Sequence, residues 1–149
     1  MEEKMQLSAY ERYVNQRPLW RYYLGLVRRW MNHRRYEKIS NIARKRGAKV
    51  GEYVCMSKAF AMKCNQRVEI GSHVVIETSD LSLGQWSLKI GNHVIIGRDV
   101  RLYLNGHDVH NTEIPFHRRH PEGLVIDDYV WVCPGVCVLP SVDWIGMGG

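Results

Sequence analysis

Aliphatic residues recur every six positions near the C-terminal end of the chain, at Ile126, Val132 and Val138. A second set lies four residues further along, at Val130, Val136 and Val142. A strand alternates every two residues and a helix repeats about every 3.6, so a period of six is typical of neither element alone. It is the period of one flat face of a triangular β-helix, in which the first residue of each hexapeptide points inward.

One hexapeptide template occurs four times, beginning at Val50, Ile70, Ile90 and Ile126. Each copy has an aliphatic residue, a small or acidic residue, two polar residues and a second aliphatic residue. In three copies the second residue is glycine, which we expect at a tight corner with a positive φ. The template predicts a mainly β fold over residues 50–149.

The first 49 residues have a different pattern, which predicts an N-terminal helical segment over residues 1–49. Pro18 suits a first helical turn, and apolar residues recur at helical spacing from Leu19 to Met31. A second helix is predicted to end at Gly47, with basic residues in its last turn. Its apolar face holds Ile39, Ile42 and Ala43.

Positive charge is concentrated in this segment. The net charge is +6, and between Arg28 and Lys49 nine Lys and Arg residues stand against one acid, Glu37. Such a patch attracts polyanions. Two interpretations are open: residues 28–49 lie on an anionic membrane, or a packing helix caps the open end of the repeats with its basic face in water. We expect no nucleic-acid partner.

The cysteines and the N-terminus predict a cytoplasmic location. Cys133 and Cys137 form a C-x3-C pair without the second ligand pair of a structural zinc site, so we expect the four cysteines to be small buried residues in a reducing compartment. The N-terminus is acidic and no long apolar run follows, which predicts neither a signal peptide nor a membrane span.

One long stretch interrupts the repeats. Residues 103–124 are polar and without a period, and they hold four of the seven histidines: His107, His110, His117 and His120. A long loop inside a compact repeat domain is usually functional. We therefore predict that this loop forms part of an active site.

Three features together resemble the hexapeptide-repeat acyltransferase family, in its sugar O-acetyltransferase branch that includes the galactoside and maltose acetyltransferases. They are the run Gly-His-Asp-Val-His from Gly106 to His110, a repeat with Trp131 at its sixth position, and the run Val-Leu-Pro-Ser-Val from Val138. The resemblance covers roughly residues 50–149. It implies a left-handed parallel β-helix that moves an acetyl group from acetyl-CoA to a hydroxyl of a sugar or polysaccharide precursor. It also implies a homotrimer with each site between adjacent subunits.

In that family the catalytic base is a loop histidine, and His107 matches it. A sugar hydroxyl is a poor nucleophile, and an imidazole, whose ordinary pKa is about 6.5, can take its proton at neutral pH. His110 is the alternative base, because the register inside a loop is not fixed by one sequence.

The resemblance also suggests residues for the two substrates. Trp131 stands where the family has an aromatic residue against the acceptor, and Asp80 is the candidate for a second acceptor-side polar group. Arg118 is the candidate for attracting the cofactor's phosphates. Cys133 and Pro134 are the further cofactor-binding candidates.

The chain departs from the family pattern in three places. Where the family usually has glycine it has Cys133 followed by Pro134, which has no N–H to steady an oxyanion. One extra residue precedes Ile145, and the sequence ends at Gly149, where another repeat would start. We therefore expect a β-helix truncated at its C-terminal end, and the alternative function is an inactive scaffold or oligomerisation module.

No metal is expected, although the same fold hosts a class of zinc-dependent carbonic anhydrases. Such a site needs three histidines that converge from neighbouring coils. His73 and His93 occupy one slot of two repeats and are expected to stack at a corner, but Tyr53 and Tyr129 fill that slot in the other two.

Overall fold

The computed structural model describes residues 19–105 and 123–146. The chain divides into two compact units, Met1–Arg34 and Arg35–Gly149. Two helices, α1 and α2, cover Leu19–Lys45 and Lys58–Lys63. The strands β1 to β12 are Lys49–Val50, Cys55–Met56, Val68–Ile70, Val75–Ile76, Asp80–Ser82, Leu88–Ile90, Ile95–Ile96, Arg101–Tyr103, Leu124–Ile126, Trp131–Val132, Cys137–Val138 and Trp144–Ile145.

The helix α1 is continuous where two helices were predicted. No proline interrupts Leu19–Lys45, and a single glycine is tolerated inside a helix. The predicted end at Gly47 is confirmed. Gly47 has a φ of 96° and donates its N–H to the carbonyl of Arg44 at 2.9 Å, while Ala48 donates to Ala43 at 3.1 Å. These two bonds form a Schellman cap, which requires the left-handed conformation at that position.

The strands form three sheets, all of them parallel. The first sheet has the order β1-β3-β6-β9-β12, the second β10-β7-β4-β2 and the third β11-β8-β5. The chain visits the three sheets in turn, and we call one visit to each a pass. In the first pass α2 takes the place of a strand of the third sheet. The prediction of repeated parallel strands after an N-terminal helix is confirmed. The described part of the chain mixes helix with strands, and all the sheets are parallel.

The register repeats at a nearly constant interval. Val50 pairs with Ile70 and Ile70 with Ile90, each twenty positions on. Ile90 pairs with Ile126, thirty-six positions on, because the chain between the end of β8 at Tyr103 and the start of β9 at Leu124 is longer than in the other passes. The extra residue before Ile145 is accommodated, since Ile145 still pairs with Ile126.

The first residues of the C-terminal hexapeptides lie in the core. Ile126, Val132 and Val138 are at most 5% exposed. In the second set Val130 is buried, but Val136 is 39% exposed, because the chain turns there and Val136 donates its N–H back to the carbonyl of Cys133.

The predicted role of the template glycines is wrong in one respect. The positive φ values fall two residues later, at Tyr53, His73, His93 and Tyr129, between 54° and 62°. Glycine is needed instead because neighbouring passes approach closely. A Cβ on Gly71 would lie 2.6 Å from the carbonyl oxygen of Gly91, and one on Gly91 would lie 2.3 Å from Oδ1 of Asp128.

The C-terminal part of α1 packs on the first pass. Ser40 and Ala43 are fully buried, and Ile39 and Ile42 pack against the core as predicted. Arg44 donates to the carbonyls of Val50 at 3.1 Å and Gly51 at 2.8 Å. The residues beyond Arg35 in α1 therefore serve packing.

The expected burial of the cysteines holds only in part. Cys64 is fully buried, but Cys133 and Cys137 are exposed, because they occupy outward positions in and after a turn. Burial raises the pKa of the Cys64 thiol to about 11, against a smaller opposite effect of the Arg46 charge.

Candidate functional site

Three of the predicted site residues, His107, His110 and Arg118, lie outside the described residues. The two ends of the segment that carries them are described. Gly84 fits against Asn105, since a Cβ on Gly84 would lie 2.9 Å from Asn105 Cγ. Leu124 donates its N–H to the carbonyl of Ser87 at 3.0 Å. The segment therefore begins and ends where the third sheet connects to the first.

Trp131 lies in β10 of the second sheet with 65% of its surface exposed. It pairs with Ile95, which pairs with Val75, which pairs with Cys55. We call these four outward-facing residues the apolar ladder. Its two members Ile95 and Trp131 are well exposed, so the outer face of the second sheet presents apolar surface next to the acceptor candidate.

Asp80 lies in β5 of the third sheet and accepts a hydrogen bond from the hydroxyl of Tyr103 at 3.3 Å. Its carboxylate is 4.0 Å from Nε of Arg101, its neighbour in β8. It opens into a pocket of about 320 Å³ whose lining is Glu77, Thr78, Ser79, Asp80, Asp99 and Arg101. Three carboxylates and one guanidinium give this pocket donors and acceptors for hydroxyl groups.

The floor of this pocket is held by a buried hydroxyl. Thr78 donates from Oγ1 to the carbonyl of Val100 at 2.7 Å and accepts the N–H of Asp80 at 3.0 Å. On the rim, Arg98 pairs with Glu77 at 3.5 Å. The backbone beneath Asp80 is therefore fixed by two passes together.

Cys133 and Pro134 follow Trp131 in the segment that joins the second sheet to the third. A Cβ on Gly97 would lie 2.8 Å from the nitrogen of Pro134, and Gly135 donates its N–H to the carbonyl of Arg98 at 2.9 Å. These residues therefore stack on residues 97–100, which lie over the Asp80 pocket. The backbone N–H that donates to the preceding pass belongs to Gly135, since Pro134 has no backbone N–H.

The structure thus brings some candidates together and separates others. Cys133 and Pro134 lie in the connection between the second and third sheets, two passes after Asp80, which begins the strand that follows the same connection. Trp131 and Asp80 lie on different sheets.

The predicted stacking of His73 and His93 is confirmed and extends to four rings. The centroids along Tyr53, His73, His93 and Tyr129 are 5.0, 4.9 and 4.9 Å apart, with the rings within 9° of parallel. We call this column the ring ladder. Among the described residues, no group of three or more His, Cys, Asp or Glu side chains is arranged to hold a metal ion.

A polar column that the sequence analysis missed runs beside the ring ladder, one residue earlier in each repeat. Asp128 accepts the backbone N–H of Asn92 at 2.6 Å, and Asn92 accepts that of Ser72 at 2.9 Å. The bonds from the backbone and side chain of Asn92 lower the pKa of the Asp128 carboxyl. The signal was present in the sequence, because a short polar residue stands third in each of these template copies.

Asp128 also lines a pocket of about 370 Å³ together with Lys89, Asp127 and Tyr129. The indole N–H of Trp144 donates to Asp127 at 3.0 Å. This pocket lies where the first sheet connects to the second, whereas the pocket beside Asp80 lies where the second sheet connects to the third.

No protein-family model matches the chain, and no solved structure is significantly similar to it. Within the part of the chain that the structure describes, no helix has the length and apolar character needed to cross a membrane. The resemblance to the acyltransferase family therefore stays a prediction from the residues quoted for it.

Proposed function

We propose that the chain is an O-acetyltransferase that moves an acetyl group from acetyl-CoA to a hydroxyl of a sugar or polysaccharide precursor. The proposal includes a left-handed parallel β-helix for the three sheets and a cytoplasmic location. The observation that carries it is the register: passes of nineteen or twenty residues are interrupted once, between Ile90 and Ile126. That interval contains the Gly-His-Asp-Val-His run.

The proposed reaction needs one base and forms no covalent bond between the acetyl group and the protein. His107 takes the proton of the acceptor hydroxyl while the oxygen attacks the thioester carbonyl. The tetrahedral intermediate collapses as the carbon–sulfur bond breaks, and the imidazolium returns the proton to the coenzyme A thiolate. The products are the acetyl ester and free coenzyme A. His110 is the alternative base.

The remaining candidates serve binding. Trp131 offers an exposed aromatic face to a sugar ring, and Asp80 offers a carboxylate that already accepts a hydroxyl, that of Tyr103. The positive charge of Arg118 attracts the cofactor's phosphates, and Cys133 and Pro134 contact its thioester arm. In a homotrimer, residues from two subunits line each site, which accounts for Trp131 and Asp80 lying on different sheets.

The test combines binding with turnover. Calorimetry with acetyl-CoA is expected to show saturable binding, and mass spectrometry is expected to detect acetyl ester on galactose or maltose. His107→Ala should reduce transfer about 10²–10⁴-fold with nearly unchanged cofactor affinity, whereas His120→Ala in the same loop should have little effect. An active His107→Ala variant would move the base to His110, and absent acetyl-CoA binding would reject the proposal.

The apolar ladder favours a second candidate, an oligomerisation scaffold without activity. Exposed apolar surface on a regular sheet face suits association with another chain. A scaffold would form stable oligomers that Ile95→Glu disrupts, without binding acetyl-CoA. An enzyme would lose both oligomer and transfer in the same variant.

A further inference from the structure

The first half of α1 exposes more large apolar side chains than any other stretch that the structure describes. Between Arg21 and Arg34 the exposed fractions of six such residues range from 41% to 63%. They are Tyr23, Leu24, Leu26, Val27, Trp30 and Met31. We call residues 21–34 the amphipathic segment.

These six residues occupy one side of the helix. At 100° per residue they fall within an arc of roughly 160°. Arg28, Arg21 and Asn32 follow beyond one edge of this arc, and Arg29 lies beyond the other edge. Arg34 falls inside the apolar arc, where its guanidinium covers the ring of Trp30 at 4.6 Å from the centroid.

The charge of the segment has one sign. It contains four arginines and no Asp or Glu. Further along, three of the cations have partners within the fold: Arg44 pairs with Glu37, Lys49 with Glu69, and Arg46 donates to the carbonyl of Cys64. The amphipathic segment is the part of the basic stretch that combines positive charge with exposed large apolar side chains, and this combination suits it to an anionic surface that is also apolar.

We propose that the amphipathic segment binds the surface of an anionic lipid bilayer, with the helix lying in the plane of the interface. Its apolar arc enters the boundary between head groups and acyl chains, where tryptophan and tyrosine are favoured. The arginines reach lipid phosphates from the border of this arc. A groove of about 500 Å³ lies at that border, where Leu24, Val27 and Met31 meet Arg21 and Arg28.

The positive charge of the amphipathic segment favours binding to an anionic bilayer over association with a second copy of the chain. Two copies joined through this surface would bring eight arginines together with no acid from either segment, and such a contact is repulsive. An anionic membrane supplies the opposite charge, at about 1 kcal/mol for each Lys or Arg near its surface. Membrane binding of this kind does not depend on acetyl transfer.

The experiment is co-sedimentation of the full chain with vesicles. Vesicles of equal parts phosphatidylcholine and phosphatidylglycerol are expected to bind the protein, and vesicles of phosphatidylcholine alone are expected to bind it far more weakly. Arg28→Gln with Arg29→Gln should lower the partition coefficient about 30-fold, which is the loss of about 1 kcal/mol for each charge. The matched control removes two charges elsewhere, Arg67→Gln with Lys89→Gln, and should bind like the parent chain.

A second pair of variants tests the apolar arc. Trp30→Ser with Met31→Ser should lower the partition coefficient about tenfold or more, while Trp144→Ser, which removes an exposed tryptophan from a strand, should not. Circular dichroism verifies that each variant keeps its helix. The proposal is overturned if the mixed vesicles bind nothing, if the control variants lose as much binding as the segment variants, or if the segment mediates only self-association in sedimentation velocity.

Discussion

The imidazole rings of His73 and His93 lie parallel, 4.9 Å apart and within 5°, although each residue has a left-handed backbone conformation. For residues other than glycine this conformation costs about 1–2 kcal/mol each. The ring ladder therefore combines a backbone cost with a stacking gain in every pass. The balance between the two can be measured at one position.

At position 93, three substitutions separate stacking from backbone strain. His93→Tyr should keep the stack and nearly the parent stability. His93→Ala loses two ring contacts, each worth about 0.5–1.5 kcal/mol, and keeps the strain. His93→Gly also loses the stack but relieves the strain, so it should be about 1 kcal/mol more stable than His93→Ala. Urea denaturation provides the ranking, and equal stabilities for Ala and Gly would argue against strain at this position.

Gly71→Ala should destabilise the fold strongly. The added Cβ would meet the backbone of Gly91 at 2.6 Å, and backbone cannot move aside cheaply. We expect a loss of about 2 kcal/mol or more in the free energy of unfolding, as for overpacking. Gly25→Ala is the matched control, because a Cβ there meets nothing within 4 Å and alanine favours the helix. Thermal unfolding of both variants tests the contrast, which fails if the two melt alike.

Asp128 should make stability depend on pH in the acid range. The bonds from Asn92 lower the pKa of its carboxyl in the fold. The contribution of Asp128 to the free energy of unfolding is therefore fully present above the usual carboxyl pKa of about 3.9. It is lost as the pH falls through the lower pKa of the folded state. Asp128→Asn should flatten the acid limb of the stability curve. Carbon-detected NMR titration should give Asp128 a midpoint below about 3.9, the usual value for an aspartate side chain.

The thiol of Cys64 should resist alkylation. With a pKa of about 11 it stays protonated at pH 8, and it is fully buried. Iodoacetamide should modify Cys133 and Cys137 first, as peptide mass spectrometry can show. Because the folded pKa is raised, this thiol's contribution to stability is present below about pH 8.5 and declines towards pH 11. Rapid labelling of Cys64 in the native protein would contradict this.

Much of the fold could be predicted from the sequence. The six-residue period identified the buried positions, and the end of α1 at Gly47 followed from its C-terminal signals. The break predicted within α1 was wrong, since Leu19–Lys45 is one continuous helix with no proline to interrupt it. The site was harder to predict than the fold, because His107, His110 and Arg118 belong to the stretch that interrupts the repeats and has no period.

The sequence by itself determined which residues repeat, and hence that Ile70, Ile90 and Ile126 stack in one parallel sheet. Only the tertiary structure decided which residues of one pass contact which residues of the next. The bond between Asn92 and Asp128 joins residues thirty-six positions apart, and the need for glycine at Gly71 arises from the backbone of Gly91. A repeat period can be read along the sequence without knowing how the passes pack. Close approach depends on how the next pass lies against it, and that distance is set by packing.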